Sequence, residues 1–402
     1  MLKGDFQEAM HCLEAALALY ALLGNEQTAS QGVSVTGFLS VAPPTQGHHH
    51  IHQAASLHPV AYFLIGAPPT QYFSNRATET LCWGLLALAQ VNVGQVHNSI
   101  RSGRMALALS KEIKNVWAQI TSTLCLIYGL LEAGVYEEAL VLTQQAMALA
   151  QTLPPTINRQ LFLTALGSTY QALQQWEEAH RILEEAVAVA ETLDHGPSSV
   201  PTLSRLCMND ALVGDWELAH RYALKAITLR KSHSATLIPL DFYSHYEMET
   251  LLRLGDARQA REEVHRLGER LGPYRRFRIP YLRSLAALAA WEGQREQAIG
   301  HLREAAGLAA EIGLPAERWQ IQAALGRLYK EAGEQAQART AFAEAARIIQ
   351  ELAEGIGDEA LRTSFLAGLP LQGVLQQQAP QRPIYYFGFS GPDWFRNGLA
   401  AG

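Results

Sequence analysis

Leu166-Gly167-Ser168-Thr169-Tyr170-Gln171-Ala172-Leu173-Gln174-Gln175-Trp176-Glu177-Glu178-Ala179-His180-Arg181-Ile182-Leu183-Glu184-Glu185-Ala186 places two amphipathic runs around a short polar break. Apolar positions recur three and four apart in the runs Gln160–Leu173 and Glu177–Leu193, the spacing of a helix face. The same wording returns as Leu325-Gly326…Tyr329…Gly333…Ala338…Phe342…Ala345, between Gln320–Ala332 and Ala336–Ile349. A helix hairpin is being repeated.

The break is the most regular feature. A glycine followed five residues later by a small residue occurs at Gly4, Gly94, Gly134, Gly214, Gly255, Gly293 and Gly333, with Gln174 in glycine's place once. The small partners are Ala9, Ser99, Ala139, Ala179, Ala219, Ala260, Ala298 and Ala338. Successive intervals are 90, 40, 40, 40, 41, 38 and 40, which composition alone does not produce. A residue able to adopt left-handed backbone ends the first helix without a Cβ clash. Ala106, Ala146, Ala186, Ala226, Ala305 and Ala345, seven residues beyond the small partners, let the two helices approach closely. Two helices of roughly 16 residues with short turns fill this period.

These units resemble tetratricopeptide repeats over about residues 76–370. Others depart from the pattern: Cys207 takes the Gly position and Asp210 the Tyr position in one, and Glu247 replaces Leu in another. The period exceeds the usual ~34 and is similar to the long-helix variant in the sensor arm of maltose-activator-like and LuxR-type signalling ATPases and cyclase-linked regulators. The segment Ile348–Leu352 through Asp358–Leu366 also resembles the close of such arms. The resemblance implies an all-α, right-handed superhelical α-solenoid of about seven helix pairs, each burying its face only against its neighbours. It further implies a non-enzymatic protein-interaction or effector-binding scaffold, the C-terminal arm of a cytoplasmic bacterial signalling regulator. The alternative is a fragment of a signal-transducing ATPase, transcription regulator or cyclase-linked regulator whose catalytic and DNA-binding parts lie outside this chain.

Residues 1–29 read as a partial repeat, the second helix only (Phe6–Leu23), so its partner helix and further domains are expected upstream of Met1. Residues 30–75 break the phase with Pro43-Pro44, Pro68-Pro69 and Ala-Pro-Pro-Thr-Gln written twice, a degenerate or inserted Pro/His-rich segment. Residues 76–355 form the solenoid. Residues 356–370 form a capping helix started by Asp358, with Leu361, Phe365 and Leu366 on one face. Residues 371–402 are a Gln- and aromatic-rich tail without a core of its own.

Composition excludes several classes. Of 402 residues 48% are hydrophobic, too many for a disordered chain. The 32 Lys+Arg against 38 Asp+Glu give −6, which argues against a nucleic-acid partner. The start lacks the apolar core of a signal peptide, and no uncharged apolar stretch approaches the ~18 residues of a bilayer span. Cys12, Cys82, Cys125 and Cys207 share no short spacing, consistent with a reduced cytosolic setting.

Chemistry-bearing motifs are sparse. No Gly-x-x-x-x-Gly-Lys-Ser/Thr phosphate loop occurs, and no cofactor is implied. Gly388-Phe389-Ser390-Gly391 has its second glycine one place too early for a nucleophile elbow. His48-His49-His50-Ile51-His52 reads as an exposed polar run rather than a metal site. Arg275, Arg276 and Arg278, interleaved with aromatics, form a candidate anion patch. Repeat phase assigns a concave, partner-binding groove to Tyr128, Glu132, Ser168, Gln171, Met208, His245, Glu249, Arg253, Arg283, Trp291, Arg327 and Lys330. Acids and amides come early in that series and cations late, a gradient suited to an extended peptide or protein partner. Trp83, Trp117, Trp176, Trp216 and Trp319 are assigned to packing between helices.

Overall fold

The structure, a computed structural model, describes residues 75–151, 157–192, 199–232, 244–271 and 274–375, with several positions of a helix between 7 and 17. The proline pairs, the histidine run, Ser390 and the aromatic tail lie outside the described residues. Within them, seven helix hairpins follow one another. They are α1 (Asn75–Asn92) with α2 (Val96–Glu112), α3 (Val116–Ala133) with α4 (Tyr136–Ala150), and α5 (Ile157–Ala172) with α6 (Trp176–Thr192). Next come α7 (Val200–Val213) with α8 (Trp216–Ser232), and α9 (His245–Arg253) with α10 (Ala257–Arg270). The last two are α11 (Arg275–Trp291) with α12 (Arg295–Ile312), and α13 (Pro315–Glu331) with α14 (Gln335–Glu354). Short helices α15 (Glu359–Leu366) and α16 (Leu369–Leu375) close the array. The architecture is an all-α superhelical solenoid.

Every hairpin turns the same way. At each break the residue after the glycine position donates its N–H to the carbonyl five residues back, as Gln95 to Gln90 at 2.8 Å and Glu334 to Tyr329 at 2.8 Å. This is the longer bond of a Schellman turn, and it requires a left-handed residue. Gly134, Gly214 and Gly333 supply it at φ 79, 91 and 79°, and Gln174 at 64°. The substitution at Gln174 was absorbed by the backbone without changing the turn. Five residues on, Ser99, Ala139, Ala179, Ala219, Ala260 and Ala298 are fully buried, which brings the paired helices into contact.

The solenoid does more than stack neighbours. Its first hairpins meet its last ones, contrary to the expectation that each unit buries its face only against adjacent units. Val96 shares an apolar cluster with Ile312 and Leu314. Tyr136 and Leu173 share another with Trp319, Leu352, Phe365 and Leu371. Gly134 lies against Leu352 and Pro315, so closely that a Cβ there would collide with Leu352 Cδ2. Burying one Leu or Phe side chain stabilises by roughly 1.5–3 kcal/mol, so this seam contributes several such increments. The molecule has a buried interior after all.

The cap extends the closure. Asp358 accepts the N–H of Leu361 at 2.8 Å and starts α15, as its position predicts. The Glu137 carboxylate of α4 accepts the N–H of Gly357 at 2.6 Å, and the Phe365 and Tyr136 rings stand 6.1 Å apart. The cap therefore joins the second hairpin as well as the last. Helical structure also runs past residue 370, because Pro370, Leu371 and Val374 of α16 bury themselves, where the sequence reading begins a coreless tail. Near the N-terminus, Met10, Leu13 and Leu17 pack on Cys82, Leu86 and Ala89 of α1. One apolar run was underestimated: α3 is long and apolar enough to cross a bilayer, but most of it is buried in the solenoid. Its composition is that of a core helix touched on several sides.

Gly368 offers a sharp test of the closure, because a Cβ there would lie 2.6 Å from Gln174 Cβ, across 194 positions of sequence. Gly368→Ala is expected to destabilise by about 1–3 kcal/mol, the usual range for overpacking. In a Gln174→Gly background that cost should largely vanish, giving a coupling that chemical denaturation of the four chains measures. Additive effects would mean that cap and third hairpin do not touch.

Candidate functional site

Helix rotation separates the three arginines that neighbour one another in sequence. At about 100° per residue, Arg275, Arg276 and Arg278 leave α11 in three directions. Arg275 is exposed and pairs with Glu311. Arg278 is exposed and its Nε donates to Glu304 at 2.7 Å. Arg276, 5% exposed, points inward. The proposed anion patch is therefore not formed: the three cations leave on different faces, and each is paired with different carboxylates. Seven residues on, nearly two full turns, Arg283 shares the inward face and is 1% exposed.

These two arginines organise a polar seam inside the closed solenoid. Arg276 donates from Nε and Nη2 to the two oxygens of Glu132 on α3, both at 2.9 Å. It also reaches Glu317 of α13 from Nη2 at 3.3 Å. Arg283 donates from Nη1 to the other oxygen of Glu317. Burial pushes the Glu317 carboxyl up, but Arg283, Arg276 and Arg205 outweigh it and hold it below the usual carboxylate range. Burial likewise opposes the charge on Arg276, yet Glu132 and Glu317 leave its pKa raised. Arg205 of α7 moves the other way: burial and the adjacent Arg276 lower its pKa against the pull of Glu132 and Glu317. Three cations and two carboxylates thus come from four hairpins.

Half of the proposed groove residues are buried rather than lining an open surface. Tyr128, Ser168, Gln171, His245, Glu249 and Arg283 are all buried. Ser168 donates back to the Thr164 carbonyl at 2.8 Å. Gln171 donates to the Arg205 carbonyl at 2.8 Å, tying α5 to α7. Glu249 pairs with Arg253 at 3.5 Å, while the Arg253 guanidinium lies 4.0 Å above the Trp216 ring. Met208 and Arg327 are half-buried and Lys330 is exposed. Trp291 packs partly against the apolar core, and Arg261 stands 5.4 Å over its ring. Glu132, an early member of that series, is held internally by Arg276, which lies outside it.

Arg205 and Glu317 are absent from the sequence-derived set, although both belong to the seam. A signal existed: Glu317 stands 41 residues after Arg276, one repeat period, so adjoining units present them side by side. Cys82 and Cys125 are buried, which pushes their thiols up to about 11 and about 12, as suits inert core residues. Among the described residues no group of three His, Cys, Asp or Glu side chains is placed to hold a metal ion.

Two measurements probe this electrostatic arrangement. Glu132→Gln should destabilise by about 3 kcal/mol, because it leaves a buried guanidinium facing a neutral amide. Urea titration reads the loss, and a change under ~1 kcal/mol, the surface-pair range, would exclude a buried pair. His245 responds to pH, since burial and then Arg283 hold its pKa well below 6.5. Its contribution is present above pH 6.5 and drains away as pH falls, because only the unfolded chain readily takes the proton. The melting temperature of His245→Gln should therefore fall less than that of the parent between neutral and mildly acidic pH.

The comparisons agree with this architecture. Residues 162–193 match the family model described as Tetratricopeptide repeat. None of the curated proteins compared matches the chain in sequence. The crystal structure of a Rap protein complexed with Competence and Sporulation Factor is 12% identical, covering 86% of this chain and 99% of that one, with a TM-score of 0.55. Aspartyl phosphate phosphatase F from Bacillus subtilis is 13% identical, covering 87% of this chain and 95% of that one, with a TM-score of 0.54. At such identities the likeness shows the fold alone. The match places a tetratricopeptide repeat at residues 162–193, and the two structures share the all-α solenoid fold.

Proposed function

We propose that this chain is a non-enzymatic scaffold that holds an extended acidic peptide or protein segment against its interior polar seam, within a cytoplasmic signalling regulator. One observation carries the reading: Arg205, Arg276 and Arg283 converge with Glu132 and Glu317 inside the closed array. Cations in a low-dielectric interior favour an anionic partner more strongly than the same cations in water would. The Rap protein resembled in fold is described in complex with a factor, and the other neighbour is named as an aspartyl phosphate phosphatase; both support a signalling context. The sequence resemblance to regulator arms points the same way.

Capture of partners by the tagged chain from its host's extract, with hydrogen exchange of the complex, tests the proposal. Partners should slow exchange in α3, α7, α11 and α13, and capture should weaken as salt rises from about 0.1 M to about 1 M. Protection confined to the second helices of the hairpins would place binding on the outer surface and defeat the interior reading. Nucleotide turnover by the purified chain would defeat the non-enzymatic one.

A further inference from the structure

Arg283 is an interior arginine that uses little of its hydrogen-bonding capacity among the described residues. Arg283 is 1% exposed and gives Nη1 to Glu317. Its Nε and Nη2 are buried and have no hydrogen-bond partner among the described residues. Those two nitrogens lie on one edge of the guanidinium and point their hydrogens in parallel, the fork that fits both oxygens of a carboxylate. The same helix shows what such an edge accepts. Arg276, on the same face, uses its own Nε and Nη2 to hold the two Glu132 oxygens at 2.9 Å each. A buried donor left without an acceptor costs about 1–3 kcal/mol, more when charged, so the Arg283 edge stands to gain from an acceptor.

Charge favours the same conclusion. Glu317 is already shared between Arg276 and Arg283, so it cannot also neutralise the second edge. His245, close enough to feel Arg283, is kept uncharged by burial and supplies no negative charge.

We propose that the Nε–Nη2 edge of Arg283 receives one carboxylate of the bound segment, so that α11 carries two parallel arginine–carboxylate forks, one filled from α3 and one from the ligand. This rests on the interior-binding reading and narrows it. The carboxylate can come from an Asp or Glu side chain or from a peptide C-terminus. A planar two-oxygen acceptor matches the edge, and a second fork seven residues from the first would set the ligand's register.

Short random peptides retained by the full chain test it, in three pools: free C-termini, amidated C-termini, and free C-termini without Asp or Glu. The parent should retain carboxylate-bearing peptides preferentially. Amidation abolishing the preference assigns the C-terminus, and omission of Asp and Glu abolishing it assigns a side chain. Arg283→Met should lose the preference by about tenfold or more and Arg283→Lys by less, since lysine keeps the charge without the fork. Both variants are to be checked for parental helicity, and in labelled parent protein the Arg283 Nε–H resonance should shift on titration with acetate. Retention indifferent to carboxylates would overturn this site and leave interior binding standing, whereas no retention from any pool would overturn both. Inorganic phosphate displacing the peptides better than acetate, or an Nε–H signal unmoved by acetate, also removes the carboxylate assignment.

Discussion

A helix hairpin has more apolar surface than its two helices can hide from each other, and the left-handed residue at each turn fixes where the remainder faces. All seven breaks use the same turn with a small residue five positions later, so the two helices of every hairpin pair closely. Stacking such like units in series makes a superhelix. Here the curvature is tight enough for the first hairpins to meet the sixth and seventh, so apolar surface that an open solenoid would leave wet becomes interior.

That closure has two physical components with different work to do. Apolar contacts between Tyr136, Leu352, Phe365 and Leu371 supply the favourable free energy, since each large side chain removed from water is worth roughly 1.5–3 kcal/mol. Ion pairs across the same gap are close to neutral overall, because desolvation of both partners offsets much of their attraction. Their geometry is nevertheless demanding. The two-point contact of Arg276 with Glu132 joins residues 144 apart and admits one alignment of α11 against α3. Hydrophobic contact holds the ring shut, and the polar seam decides how it shuts.

A polar seam inside a repeat array also changes what recognition means. In an open groove a partner competes with bulk water for solvated side chains. In this interior the charged groups are already desolvated, so an acceptor meeting Arg283 gains a stronger interaction without a new dehydration of the protein side. On the proposed reading, binding and closure of the array are parts of one equilibrium, since the same helices line the seam and form the ring.

The sequence alone determined the hairpins, their period and the left-handed turns, because each depends on residues a few positions apart. Even the departure at Gln174 was legible, as the turn tolerates any residue that reaches φ 64°. The position of Asp358 likewise announced a helix start. What only the tertiary structure decided was which inward residues would meet. Glu132 read as a groove residue and Arg276 as part of a separate anion patch, yet the closure of the array, summed over several hairpins, brings them to 2.9 Å. Arg275, Arg276 and Arg278 read as one patch, yet helix rotation and three separate glutamates divide them. Local spacing writes the units, but the curvature that closes them is a sum of small angles, and no short stretch of sequence contains that sum.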